Sequence, residues 1–276
     1  MKKIRTTLLL VLVAATFAAT AGAQKGLPAT TLIGGKGVLA PDGTHRYVAL
    51  TTGRQTLVSV VRVHGGQVVR WLYVRGFVGV PVVGEDGTTD GISRDGRTLV
   101  LAGTPEGRPN DRVVTSFAVV DTASLRFRRV TFPGTWAYDA ISPDGTILYL
   151  IEYENYGRTP TYRVRAYDLA ARRLLSRPIV DRTIGERLMR GWAVTRATNS
   201  TGRWEYTLYA RQGSAPFVHA LDTVQQRAYC VDLPLELRRP GQMRLRLVLR
   251  AGELAVRSAG ETVAVVDTRS FVVQRR

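Results

Sequence analysis

"AYDAISPDGTILYLIE" (Ala137–Glu152) decides the fold of this chain. It reads as a buried strand, a tight turn and a second buried strand. The turn is Ser142-Pro143-Asp144-Gly145. Proline pre-sets φ at the second turn position, aspartate hydrogen-bonds the backbone from its side chain, and glycine accepts a positive φ. The run Ile147–Ile151 carries no charge, as expected of a strand covered on both faces.

Weakened copies of this stretch recur along the chain. They are "GVLAPDGTHRYVALTT" (37–52), "TDGISRDGRTLVLAG" (89–103), "GWAVTRATNSTGRWEYTLYA" (191–210) and "RLRLVLRAGELAVRS" (244–258). The turn glycines Gly43, Gly96, Gly145, Gly202 and Gly252 are spaced by 53, 49, 57 and 50 residues. A second marker keeps the same phase. Asp121, Asp168, Asp222 and Asp267 each end an apolar strand and open a short polar turn, and His64 takes that place in the first unit. Each unit therefore supplies four strands. Four-stranded repeats of this length are the signature of propeller blades, which bury their faces by stacking around an axis. The expected fold is all-β, a β-propeller of about five four-stranded blades at 27–75, 77–133, 134–182, 188–234 and 243–276. A two-sheet sandwich is the alternative, and the regular repeat disfavours it.

The first 23 residues read as a signal peptide, with 24–276 forming the propeller domain. Lys2, Lys3 and Arg5 precede the apolar run Leu8–Ala19, and Ala21-Gly22-Ala23 offers a cleavage site. The apolar run is short for a membrane span. The expected location is extracytoplasmic: secreted, periplasmic or in the cell wall. The single cysteine, Cys230, forms no intrachain disulfide, so the packed core must carry stability. It sits in an apolar strand pattern and reads as a buried small hydrophobe with no base beside it.

The formal net charge is +17, and +14 once Lys2, Lys3 and Arg5 leave with the leader. Lys25 and Lys36 are the remaining lysines, so arginine supplies nearly all the positive charge. In "YRVRAYDL" (162–169) and "RLRLVLR" (244–250) arginine alternates with apolar residues at period two. That pattern places it on solvent-facing strand positions. An anionic envelope surface is the rival explanation. No nucleic-acid partner is expected, because no basic run is interleaved with aromatics.

At "SPDGTILYL" the repeat resembles the bacterial YVTN/YncE-type propeller units, which are related loosely to TolB-like and WD40-like propellers. The resemblance covers most of the chain after the leader. It implies a fold and no single chemistry, since such propellers serve as binding proteins, scaffolds, lactonases and lyases. This chain has room for fewer units than the best-known relatives.

Counting back from each turn glycine to the start of the innermost strand gives Gly37, Asp90, Asp139, Trp192 and Arg246, the fourth only if blade four carries an insertion. These positions are expected to gather at one mouth of the channel and to bind a polar or sugar-like ligand or a cation. Trp136, Tyr138, Arg190 and Arg196 lie near the same rim. The alternative is that Asp90 and Asp139 satisfy backbone amides of neighbouring blades. "GEDGTTDG" (84–91) offers carboxylates but lacks the spacing of a calcium loop, and reads as a flexible loop. No metal site and no cofactor is expected. No nucleophile elbow, zinc-binding helix, paired-cysteine motif or phosphate loop is present.

Three functions remain open. The first is a secreted, non-enzymatic module, monomeric, binding a protein or carbohydrate partner. The second is a hydrolase or lyase on a lactone or glycan, with Asp90 and Asp139 as the acid/base pair. The third is an arginine-rich binder of anionic envelope polymer.

Overall fold

A computed structural model of the chain describes residues 31–106, 113–155, 159–181 and 188–276. The expected signal peptide lies outside these residues. Five antiparallel sheets follow one another along the chain, each built from consecutive strands. Blade one holds Val38–Leu39, His45–Thr52, Gln55–Arg62 and Val68–Arg75. Blade two holds Val78–Pro81, Thr98–Gly103, Val114–Asp121 and Phe127–Pro133. Blade three holds Trp136–Ile141, Ile147–Asn155, Thr161–Asp168 and Arg173–Leu174. Blade four holds Trp192–Thr198, Trp204–Ala210, Phe217–Asp222 and Arg227–Asp232. Blade five holds Arg246–Arg250, Glu253–Ser258, Glu261–Asp267 and Val273–Arg275. The chain is a five-bladed, all-β propeller. Arg239–Gln242 forms one short helix between blades four and five.

Both sequence markers are turns with a shared geometry. In blade three Ser142 Oγ donates to Asp144 Oδ1 (2.6 Å), and the Gly145 N–H donates to the Ser142 carbonyl (2.9 Å). Ser93 and Asp95 repeat this in blade two, and Asn199 Oδ1 accepts from the Trp204 N–H in blade four. Gly43, Gly96, Gly145 and Gly202 all sit at φ between 69° and 72°, where a side chain is strained. Blade five differs: Ala251 and Gly252 both have positive φ and make a two-residue hairpin. At the second marker, Asp121, Asp168, Asp222 and Asp267 each accept the backbone N–H three residues on. The next residue after that donor is left-handed in each case, at φ 54° to 57°. The aspartate is fixed by the hairpin it closes.

Apolar clusters lie between neighbouring blades. Val58, Leu72, Leu99 and Val120 join blades one and two, Phe117, Val130, Leu148 and Leu150 join two and three, and Val164, Ala166 and Leu221 join three and four. Val218, Leu208, Leu254 and Val256 join four and five. Among the described residues no such cluster is shared by blades five and one. Arginine alternates as the period-two pattern requires: Tyr162, Val164 and Ala166 are buried while Arg163 and Arg165 lie between them, half-buried.

Two features fill the axis. Thr31–Leu32 adds a short strand to the inner edge of blade two, pairing with Pro81 and Val80. The inner strand of blade two is also interrupted. It leaves the sheet after Pro81 and returns at Ile92, opposite Leu99. The excursion 82–90 crosses to blade four, where the Glu85 and Asp86 N–H groups donate to the Ala193 and Val194 carbonyls (both 3.1 Å). A Cβ on Gly84 would fall 2.9 Å from the Val194 oxygen, so only glycine permits the approach.

Candidate functional site

The excursion corrects the reading of 84–91 as a flexible loop. Its Asp86 Oδ1 accepts from the Thr88 N–H (3.0 Å) and Oγ1 (2.7 Å), which folds the tip into a turn. Among the described residues no group of three or more histidine, cysteine or acidic side chains could hold a metal ion.

At the axis, the inner strand of blade three carries a bulge. Tyr138 pairs with Leu150 and Ala140 with Tyr149, leaving Asp139 as the extra residue. A bulge re-aims a side chain, and Asp139 meets Arg196 from blade four. Arg196 Nη2 donates to Asp139 Oδ1 at 2.5 Å, and Nη1 donates to the Asp139 carbonyl. Arg196 Nε donates to Thr207 Oγ1 (2.8 Å), and Nη1 lies 3.6 Å from Asp90 Oδ2. Asp90 Oδ1 accepts the Gly91 N–H (2.7 Å). Glu205 is buried beside them and accepts from Thr198 Oγ1 (2.5 Å).

Arg196 stands six residues before Gly202, as Asp139 stands six before Gly145. Blade four therefore has no insertion ahead of its turn, and Arg196 rather than Trp192 occupies the equivalent position. Burial alone would lower the Arg196 guanidinium, but Asp139, Glu205 and Asp90 outweigh it and hold the charge. Burial pushes Asp90 up against the pull of Arg196. Burial, reinforced by Asp90, pushes Glu205 well above the usual carboxylate range. The cluster thus contains one guanidinium and three carboxyl groups.

Beside this cluster a cavity of about 400 Å³ opens between blades three and four. The aromatic side chains of Tyr138, Tyr153, Tyr162, Trp192 and Tyr209 line it, and Arg196 reaches it. Leu32, Ile33, Val82 and Val83 contribute walls from the two axial segments. Tyr162 packs against Tyr153 and Tyr209 with ring centroids 5.7 Å apart in both pairs. The hydroxyls of Tyr138, Tyr162 and Tyr209 are buried; that of Tyr138 interacts with Asp90, and those of Tyr162 and Tyr209 interact with each other. Burial raises all three well above the ordinary tyrosine value, so the phenols are neutral.

The candidate residues separate. Asp90 and Asp139 meet at Arg196, but neither lines the cavity. Trp192 is on the cavity rim, with the Arg239 guanidinium 3.9 Å over its ring. Trp136 is a core residue: its ring packs on Phe132 (4.8 Å), and its Nε1 donates to the Pro133 carbonyl (2.8 Å). Arg246 is half-exposed, 3.8 Å from Asp86, and does not reach Arg196's carboxylates. Arg190 lines a different cavity with Arg211 and Cys230. Gly37 has no room for a side chain, since a Cβ would collide with the Tyr47 carbonyl.

Cys230 does have an imidazole beside it. His219 faces it across the ladder with Nδ1 3.8 Å from Sγ. Burial lowers His219 to about 4, so the ring is neutral at physiological pH.

No family model matches the sequence, and no curated protein matches it. Among solved structures, hydrazine synthase of Kuenenia stuttgartiensis aligns with a TM-score of 0.52 at 15% identity, over 92% of this chain and 68% of that one. Prolyl oligopeptidase B of Galerina marginata aligns with a TM-score of 0.50 at 12% identity, over 85% of this chain and 33% of that one. TolB of Acinetobacter baumannii aligns with a TM-score of 0.45 at 11% identity, over 85% of this chain. This chain spans 52% of that TolB, about half its length. Such identities carry likeness of fold alone. Fold and site define a five-bladed propeller with a braced axis and a tyrosine-lined cavity at one side of it.

Proposed function

We propose that this chain is a non-enzymatic binding propeller that acts outside the cytoplasm and takes its ligand in the cavity between blades three and four. One observation carries the reading: a preformed, largely apolar cavity of about 400 Å³ lies beside the axis, walled by aromatic and aliphatic side chains with Arg196 and Glu85 among its lining. Concave, mostly apolar sites with a few polar groups are where small ligands bind. The location follows from the leader-like N-terminus. Among the described residues no helix is long and apolar enough to cross a membrane.

Acid/base catalysis by Asp90 and Asp139 has less support, because both carboxylates pair with Arg196 and neither residue lines the cavity. Binding of anionic polymer through the arginines of Tyr162–Asp168 also has less support, since Arg163 and Arg165 are half-buried and pair with Glu152 and Glu154. A thermal-shift screen of small neutral compounds tests the proposal. A hit should lose its stabilising effect in Ala193→Trp, which fills the cavity from blade four. Hits that act equally on that variant and the parent would place the site elsewhere.

A further inference from the structure

We infer that the junction between blade five and blade one is a docking cleft for a partner polypeptide in extended conformation, apolar on one face and acidic on the other.

The other junctions of the ring are tied. Arg70 donates to the Thr122 and Ala123 carbonyls and Arg129 to the Arg75 carbonyl, joining blades one and two. Phe117 and Leu148 join two and three. The Tyr149 hydroxyl donates to the Thr223 carbonyl (2.7 Å), joining three and four. Phe271 of blade five packs on Trp204 and Tyr229 of blade four. Among the described residues no hydrogen bond, ion pair, ring contact or apolar cluster joins blade five to blade one.

Blade one has two apolar faces, and one of them is uncovered. Val58, Leu72 and Val74 pack on blade two. Period-two alternation puts Val48, Leu50, Leu57, Val61, Trp71 and Tyr73 on the opposite face, in register across three strands. Trp71 is 60% exposed, Tyr73 53% and Leu50 40%. Three strands of eight residues give a face of about 27 Å by 14 Å, roughly 400 Å². An apolar patch of that extent marks an interaction site. Blade five turns Leu254, Val256 and Ala264 to blade four and the part-exposed Val248, Ala255 and Val265 the other way.

Area and charge select the occupant. A second copy packed on blade one alone would bury about half of the roughly 800 Å² per partner of a standard interface. An element seated between blades one and five buries both faces. Arg46 and Arg75 flank the apolar centre of blade one, and that face carries no acidic side chain. On blade five Arg250 and Arg257 share the open face with Glu253 and Asp267. Asp267 is engaged by the N–H groups of Arg269 and Ser270, and Arg246 lies 3.8 Å from Asp86. The surplus in the cleft is positive, as it is in the whole chain at +17. Like charge opposes a second copy and favours an acidic partner. A strand that alternates apolar residues with carboxylates sets its apolar face on blade one and its acids toward the arginines of blade five.

The experiment is isothermal titration calorimetry on the purified protein at low salt, with three eight-residue peptides: (Val-Glu)4, (Val-Lys)4 and (Ser-Glu)4. The first should bind at least tenfold more tightly than the other two and weaken as salt is added. Trp71→Ala combined with Tyr73→Ala should weaken it by tenfold or more at unchanged circular dichroism, and so should Arg250→Glu combined with Arg257→Glu. No binding of (Val-Glu)4, equal binding of either control peptide, or binding indifferent to Trp71 and Tyr73 would overturn the inference. Sedimentation velocity tests the rival occupant. The protein should sediment as a monomer; a dimer that the Trp71 and Tyr73 double variant dissociates would put a second copy on this face and overturn the acidic partner.

Discussion

Arg196 and Asp139 tie blade four to blade three at the axis, through Nη2 to Oδ1 at 2.5 Å and through Nη1 to the Asp139 carbonyl. The guanidinium thereby occupies the polar inner edge of blade three. Blade two's inner edge is covered by Thr31–Leu32, and blade four's is met by Glu85 and Asp86. Each of these three inner edges ends on a group from elsewhere in the chain, so the axis is braced.

That tie has a measurable cost when broken. Removing one partner of a buried ion pair leaves an uncompensated charge. Asp139→Asn should destabilise the protein by about 3–5 kcal/mol in denaturant unfolding. The double variant Asp139→Asn with Arg196→Met should recover part of the loss, because the two charges of the pair leave together while Asp90 loses its cation. Additive losses in the double-mutant cycle would show that the two residues do not act as a pair.

A pH dependence follows from Glu205. Burial and Asp90 raise its folded value above the unfolded one. The folded state therefore holds a proton that the unfolded state has released. Stability is greatest below the unfolded carboxylate value and falls as pH rises toward the folded one, by about 1.4 kcal/mol for each pH unit between the two values. Asp90 contributes with the same sign. Glu205→Gln mimics the protonated acid, so its stability relative to the parent should grow between pH 5 and pH 8. A constant difference across that range, measured by urea unfolding, would contradict the assignment.

The repeated turns allow a comparison between blades. Gly43 and Gly145 have nearly equal φ, 72° and 69°. A Cβ on Gly43 meets nothing within 4 Å, whereas one on Gly145 collides with Thr98 Oγ1 of blade two. Gly43→Ala should cost about 1–2 kcal/mol, the left-handed backbone penalty. Gly145→Ala should cost clearly more in the same thermal unfolding assay. Equal costs would mean that the turn does not pack on the neighbouring blade.

Two tryptophans separate core from surface. Trp136 is 4% exposed and Trp71 is 60% exposed. Trp136→Ala should cost about 3–5 kcal/mol, and Trp71→Ala about 0.5 or less. Chemical denaturation of both variants checks the placement of Trp136 in the core.

The fold was legible because its signals are local. The Ser-Pro-Asp-Gly turn and the strand-ending aspartates close on residues a few positions away, and each hairpin is specified by its own short sequence. Period-two arginine was legible for the same reason. The site was not, because it depends on what lies across blades. The pairing of Arg196 with Asp139 spans 57 residues. A direct count back from Gly202 reaches Arg196, and allowing an insertion in blade four hides it. The chain leaves its inner strand in blade two instead, at 82–90, where a run of glycine and acidic residues resembles any loop. Tyr153, Tyr162 and Tyr209 carried no signal of their own: an aromatic residue on a strand reads as core until a cavity is seen beside it.

Whether the cavity between blades three and four is a ligand site can be seen in a crystal structure of the protein soaked with the strongest hit of the thermal-shift screen. The compound is expected in the cavity, in contact with Tyr153, Trp192 and the axial residues Leu32, Ile33 and Val82. An empty cavity at saturating compound, or the compound bound elsewhere on the propeller, would contradict the assignment.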